Sequence, residues 1–244
     1  MIRNCRQKRI LWSVAGILLA VILGFSIYVS DAYQPTQQAL EALDSDEEVS
    51  VTMQKDGSYV FSKREASVGL IFYPGGKVAY EAYAPLMHAY AKQGILCVLV
   101  KMPCNLAVLD QNAADGIAEQ YPEIESWYIG GHSLGGSMAA SYAAAHAEEL
   151  DGVILLAAYS TKDLADTGLK VLSIYGSEDK VLNMEKYKQY QSNLPSDAAE
   201  FVIDGGCHAY FGDYGAQKGD GEPAISPTEQ IGQAAELTQG FIYD

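Results

Sequence analysis

The sequence predicts an α/β fold: an eight-stranded, mostly parallel sheet with helices on both faces, opened by an antiparallel hairpin and preceded by one N-terminal transmembrane helix. Three observations carry this expectation. Strand-like and helix-like segments alternate from residue 68 onward. Four of the later strand segments are nearly continuous apolar runs, as strands covered on both faces require. Residues 10–29 form a single uncharged apolar stretch.

The chain has 244 residues, 49% of them apolar, enough for one well-buried core and short for two. Its first segment, residues 1–9, carries Arg3, Arg6, Lys8 and Arg9 and no acid. The apolar run 10–29 is close to the roughly 20 residues a helix needs to cross a bilayer, whereas a cleaved secretory signal has a shorter apolar centre of about 7–15 residues. An uncleaved anchor is therefore expected, with a cleaved signal and a secreted product as the alternative. Basic residues ahead of the helix favour a cytoplasmic N-terminus and an extracytoplasmic body. Without those four basic residues, 12 of the chain's 16 face 31 acids, a net charge of −19 on the body. Such a field repels phosphate backbones and excludes nucleic acid as an expected partner.

Residues 30–48 are polar and read as a tether with a short helical stretch at 36–43. The domain proper is expected over 49–244. Two β-prone runs, 49–55 and 58–62, flank Asp56-Gly57, a dipeptide suited to a two-residue hairpin turn. Further strands are expected at 68–73, 95–100, 126–129, 152–157, 170–175 and 200–203, joined by crossover helices. Ser226, Pro227 and Glu229 form a capping box that announces the last helix. Of the cysteines, Cys5 precedes the apolar run, Cys97 lies in an apolar run and reads as a core thiol, and Cys104 and Cys207 each follow a strand. In an oxidising compartment a disulfide between these two is one option and two free thiols the other.

The chemistry concentrates after the strand at 126–129. Gly131-x-Ser133-x-Gly135, between a strand and the helical stretch 137–147, is the pattern of a nucleophile elbow, a sharp turn that lifts a serine hydroxyl above the sheet edge. Glycines on either side tolerate the crowding of so tight a reversal. A nucleophilic serine needs a base, and histidine has an ordinary pKa of about 6.5, suited to taking and returning a proton near neutrality. His88 and His146 fall in helical patterns, and His132 is adjacent to the serine, from which its ring cannot easily turn back. His208, in Gly205-Gly206-Cys207-His208 after the last strand, lies at the carboxyl end of the sheet, where ligands of such folds collect. It is the expected base. The strand 170–175 ends in Gly176-Ser177-Glu178-Asp179, so Asp179 is the expected carboxylate partner and Glu178 the alternative.

The motifs GGHSLGG, YGSED and GGCH, in that order, resemble the α/β-hydrolase family over about residues 49–244, and most nearly its compact branch of cutinase-like and dienelactone-hydrolase-like enzymes. Dienelactone hydrolases use cysteine as nucleophile where this chain has Ser133, which favours plain ester cleavage over their lactone chemistry. The resemblance implies an oxyanion hole built from the Leu134 N–H and an N–H of the loop Tyr73-Pro74-Gly75-Gly76-Lys77, with Gly76 chosen and Gly75 and Lys77 as neighbours. Only residues 158–169 separate two strands between which many relatives insert a lid, so an open site for a small or exposed acyl group is expected. Tyr210, Phe211 and Tyr214 either wall that site or pack on the last helix. The expected activity is that of a serine carboxylic-ester hydrolase acting on a small-molecule ester or acyl substrate, with no cofactor and no metal. Acyl transfer or amide cleavage by the same residues is the first alternative, and a non-catalytic binding domain on the same scaffold the second.

Overall fold

The computed structural model describes residues 2–243, which separate into two compact units, one ending at Ala32 and the other beginning at Tyr33. The first unit is a single helix, α1 (Ile2–Ser30), whose segment Trp12–Ser30 is long and apolar enough to cross a membrane. Nineteen residues of helix span about 28 Å, close to the hydrocarbon thickness of a bilayer. Trp12, Ile17, Leu19 and Ile22 are all exposed, so this segment is apolar all round. Helices of that kind are stable inside a protein core or a membrane, and a signal sequence has the same character.

The second unit is built on one eight-stranded sheet in the order β1-β2-β4-β3-β5-β6-β7-β8. Strands β1 (Ser50–Met53) and β2 (Tyr59–Ser62) run antiparallel to each other, and β2 is antiparallel to β4 (Ile95–Leu99). The others, β3 (Val68–Tyr73), β5 (Ser126–His132), β6 (Gly152–Leu156), β7 (Lys170–Gly176) and β8 (Ala199–Ile203), pair in parallel. Every residue of β3, β4 and β6 is buried, which is why their sequences lack a polar face. Two apolar layers cover the sheet. One holds Leu70, Phe72, Tyr83, Leu86, Tyr90 and Ile231 and the other Ile71, Trp127, Ile129, Ala139, Ala143 and Leu155.

Helix α3 (Ala84–Lys92) and α6 (Pro227–Tyr243) contribute to the first layer, and α4 (Leu134–Ala145) to the second. The capping box is present: Glu229 N–H donates to Ser226 Oγ at 3.2 Å, and Ser226 N–H donates to Glu229 Oε2 at 2.7 Å. Helix α5 (Met184–Gln189) is one short crossover element, started by the Asn183 side chain accepting from Lys186 N–H at 3.0 Å.

Three expectations need correction. The opening hairpin is wider than a two-residue turn, since Gln54 N–H donates to Ser58 O at 2.8 Å and leaves residues 55–57 in the loop. Gly57 has φ 89° while Asp56 is absent from the positive-φ residues, and a two-residue type I′ turn needs positive φ at both. Crossover helices are missing, among the described residues, between β4 and β5 and between β6 and β7; short 3₁₀ turns and coil carry those connections instead. Asn, Asp and Gly dominate residues 110–116 and favour such turns. Of the two options for Cys104 and Cys207 the free thiols hold, Cys104 exposed and Cys207 buried, and Cys97 is a buried free thiol as expected.

The third concerns the tether. From Tyr33 onward it belongs to the sheet unit. Tyr33 N–H donates to Lys77 O at 2.8 Å, and Ala79 N–H donates to Tyr33 O at 2.9 Å, a parallel bridge beside Val78. Thr36 caps α2 (Gln37–Glu41) by accepting from Ala39 N–H at 3.1 Å and donates its hydroxyl to Asp213 Oδ2 at 2.7 Å. The polar composition that suggests a free linker is used to bond to the body.

Candidate active site

The carboxyl ends of β3, β5, β7 and β8 meet at one edge of the sheet and bring the five sequence-predicted residues there. Ser133 sits between β5 and α4 with φ 53° and ψ −120°. A non-glycine residue in that region costs on the order of 1–3 kcal/mol and persists only where surrounding structure enforces it. Enforcement is visible: Ser133 N–H donates to Leu156 O at 2.9 Å, and Ser137 N–H to Ser133 O at 3.1 Å. A Cβ added at Gly131 would lie 2.6 Å from Tyr73 O, and one at Gly135 would collide with the carbonyls of Tyr73 and Pro74. The two glycines thus let α4 begin directly against the end of β3.

Asp179 and His208 form a buried pair. His208 Nδ1 lies 2.8 Å from Asp179 Oδ2, with side-chain exposures of 2% and 0%. The other carboxylate oxygen, Oδ1, accepts from the N–H groups of Val181 and Leu182, each at 2.8 Å. A carboxylate so held is an acceptor only, so Nδ1 carries the hydrogen and Nε2 keeps the basic lone pair. Glu178, the alternative, instead accepts from the Ser177 hydroxyl at 3.3 Å. The loops after β7 and β8 are stitched together by Glu178 N–H to Gly206 O at 2.8 Å and Gly205 N–H to Ser177 Oγ at 2.8 Å.

The imidazole of His208 packs on that of His132, the neighbour of Ser133, with ring centroids 4.6 Å apart. Among the described residues no hydrogen bond joins the Ser133 hydroxyl to His208. Such contacts often tighten only when substrate is bound.

The loop expected to supply an oxyanion donor is more constrained than the sequence could show. In the loop after β3, Gly75 N–H donates to Tyr83 Oη at 3.0 Å and Lys77 N–H donates to Asn105 O at 2.8 Å. Gly76 N–H has no acceptor among the described residues. Neither has the Leu134 N–H, which as the first residue of α4 lacks an intrahelical partner. The two peptides are neighbours, since a Cβ at Gly76 would lie 2.8 Å from Leu134 Cδ2. Lys77, Cys104 and Asn105 around this loop all have positive φ, at 61°, 54° and 55°.

Several contributors have no signal in the sequence motifs. Asp220 accepts from Ala209 N–H at 2.9 Å on one oxygen, and on the other from Gly221 N–H at 2.9 Å and Lys180 N–H at 3.3 Å. It therefore ties the residue after His208 to the residue after Asp179. Burial works to raise its pKa, but the main-chain hydrogen bonds from Ala209, Gly221 and Lys180 outweigh it and hold the carboxyl below its ordinary value. Gln230 on α6 grips the main chain of Cys207 twice, accepting from its N–H at 2.9 Å and donating to its carbonyl at 2.7 Å. Burial, and secondly the charge of Asp220, push the Cys207 thiol up to about 12, so it stays neutral. Phe211 and Tyr214 are buried in the core layer that includes α6. They pack rather than wall an open pocket, with Tyr214 5.5 Å from the Tyr33 ring and Phe211 5.8 Å from the His132 ring.

A groove of about 670 Å³ lies between β8 and α6, lined by Phe201, Leu237 and Phe241. It holds none of the five predicted residues, so volume alone would point away from the chemistry.

Comparison with known proteins agrees with this architecture. No curated protein sequence matches the chain. Among solved structures, a Thermus thermophilus protein superposes with a TM-score of 0.60 at 14% identity, covering 80% of this chain and 97% of that one. A predicted CIB-like hydrolase from Thermoplasma acidophilum gives 0.54 at 16%, covering 79% and 99%. A lidless a/b serine hydrolase from Xanthomonas campestris gives 0.52 at 14%, covering 81% and 96%. At such identities the likeness is one of fold. The sequence profile described as "Alpha/beta hydrolase family" matches residues 69–232, more than half of the chain, and the chain therefore belongs to the alpha/beta hydrolase family.

Proposed function

We propose that the protein is a serine hydrolase that cleaves a carboxylic ester with a small or exposed acyl group through an acyl-enzyme on Ser133. In this reading His208 Nε2 takes the serine proton as the hydroxyl attacks the ester carbonyl. Asp179 holds the imidazole in the Nδ1–H tautomer and stabilises the imidazolium that forms. The tetrahedral oxyanion accepts from the N–H groups of Leu134 and Gly76, each such donor contributing about 3–4 kcal/mol to the transition state. His208 then returns the proton to the departing alcohol, and a water activated by the same Nε2 releases the acid.

The observation that carries the reading is the 2.8 Å His208–Asp179 bond, buried and with the second carboxylate oxygen already capped, packed against the turn that bears Ser133. The preference for small or exposed acyl groups is supported by the connection between β6 and β7, which adds no helix over the site. We further propose that α1 anchors the protein, with the basic residues 1–9 cytoplasmic and the catalytic unit outside, rather than being cleaved. Protease treatment of intact cells would digest the catalytic unit under that arrangement and spare it under the reverse one.

Ser133→Ala is expected to keep the fold and lower kcat on a short aryl ester by on the order of 10⁴–10⁶, because nucleophile, base and acid act as a unit. Labelling of the wild-type chain by a fluorophosphonate should map to the Ser133 peptide and vanish in the variant. Near-parental turnover in Ser133→Ala would reject the assignment.

A further inference from the structure

We propose that Tyr83 and His132 are positioning residues that set the oxyanion loop, an inference that rests on the serine-hydrolase reading above. Neither belongs to the elbow glycines or to the proposed nucleophile, base and acid. Their polar atoms nevertheless lie directly beneath the loop. Tyr83 Oη is 2.7 Å from His132 Nδ1, and the same oxygen accepts from Gly75 N–H at 3.0 Å. Both side chains are sealed, with Tyr83 0% and His132 1% exposed.

Hydrogen-bond arithmetic fixes the protons. Tyr83 Oη has one hydrogen, and among the described residues its sole available acceptor is His132 Nδ1. The phenol therefore donates to Nδ1 and accepts from Gly75. A neutral imidazole bonded that way carries its hydrogen on Nε2, and Nε2 is a buried atom without a hydrogen-bond partner. Burial, and secondly the nearby His208, push the His132 pKa well below its ordinary value. The ring thus stays neutral beside the base and adds no cation that would oppose protonation of His208.

The consequence for the loop is geometric. With Gly75 N–H turned down onto Tyr83 and Lys77 N–H bonded to Asn105, Gly76 N–H is the one left to face an incoming oxyanion. Gly75 has no room for error, since a Cβ there would lie 2.5 Å from Tyr83 Oη and 2.7 Å from His132 Nδ1. Breaking the Tyr83–His132 bond frees the Gly75 peptide to rotate and takes Gly76 N–H off target.

The test uses the full-length chain in detergent and compares Tyr83→Phe, His132→Asn and His132→Gln with Ser133→Ala. The Asn amide oxygen occupies the place of Nδ1 and still accepts from Tyr83, whereas the Gln amide reaches toward the place of Nε2 and does not. Tyr83→Phe and His132→Gln are expected to lower kcat by about tenfold to a hundredfold with KM within about twofold. They should weaken inhibition by an aryl trifluoromethyl ketone, whose serine adduct is an oxyanion, by a similar factor. His132→Asn should stay within about threefold of the parent on both readouts. Equal kcat in the Asn and Gln variants, or unchanged ketone affinity in Tyr83→Phe, overturns the positioning role while Ser133→Ala remains inactive. An active Ser133→Ala would instead overturn the reading on which the role rests.

Discussion

The two sides of the candidate site are built from opposite chemistry. On the proposed acid–base side, carboxylates hold main chain in place: Asp179 takes two N–H groups besides the imidazole, and Asp220 takes three across the loops after β7 and β8. On the proposed oxyanion side, the bonds of Gly75, Lys77 and Ala79 run to uncharged groups, namely Tyr83 Oη, the Asn105 carbonyl with the Tyr33 N–H, and the Tyr33 carbonyl. The difference has an electrostatic reason. A carboxylate about 4 Å from a developing oxyanion would oppose it by roughly 4 kcal/mol at an effective dielectric of about 20. That matches the 3–4 kcal/mol or so that one well-aimed donor contributes, so a single misplaced acid would cancel it. A side that stabilises an imidazolium profits from carboxylates, and a side that meets an anion must do without them.

The largest expected effect comes from breaking the charged side at its centre. Asp179→Asn keeps the size and most of the loop bonds, but an amide offers His208 a donor as readily as an acceptor and favours the wrong tautomer. A kcat lowered by about 10⁴ is expected on a short aryl ester at neutral pH. Steady-state kinetics decide it, and a loss smaller than tenfold would remove Asp179 from the proposed role.

The charged side was also the more legible one. Gly131, Gly135 and the serine between them are demanded by a local turn, so the reason for them fits in five residues of sequence. Asp179 and His208 each follow a strand, and a strand's end can be read from its apolar run. Asp220 and Gln230 act through main-chain groups that any residue could supply, and Tyr83 acts through the Gly75 N–H and through the ring of His132, which lies far from it in the chain. The docking of Tyr33 beside Val78 is similar, because backbone hydrogen bonds between distant segments leave no trace in residue type. The crossovers without helices escaped for another reason: apolar residues such as Leu106, Ala107 and Leu164 are buried there without a helical period to carry them.

Asp220 sharpens the comparison at an intermediate size. Asp220→Asn keeps one acceptor oxygen but turns an NH₂ toward a main-chain N–H, so the acid and base loops lose part of their shared clamp. A fall in kcat of about tenfold is expected, with the rest of the proposed machinery untouched. The pH dependence follows from the sign of the shift. The folded-state pKa is depressed, so the stabilisation is fully present above the ordinary carboxylate pKa, near 3.8–3.9, and is lost as pH falls through the lower folded value. Acid unfolding of the parent should therefore lose this share of stability below about pH 4, while Asp220→Asn, already without it, should show a flatter decline. Parallel acid-unfolding curves for the two proteins would show that Asp220 is no clamp.

The smallest effect is expected behind the uncharged side. Thr36 accepts from Ala39 N–H and donates to Asp213 Oδ2, fastening the segment whose neighbour Tyr33 bridges to Val78, two residues from Gly76. Thr36→Ala removes an N-cap and one charge-assisted hydrogen bond, worth together about 1–2 kcal/mol of stability. The hydrogen bonds around the loop would remain, from Tyr33 N–H to Lys77 O, Ala79 N–H to Tyr33 O, Lys77 N–H to Asn105 O, Val78 N–H to Gly75 O and Gly75 N–H to Tyr83 Oη. The urea midpoint should therefore drop while kcat stays within about twofold, because the loop's aim is set by Tyr83 and Asn105 rather than by the segment that backs it. A large loss of kcat at unchanged stability would move the control of Gly76 from Tyr83 to the Tyr33–Thr36 segment.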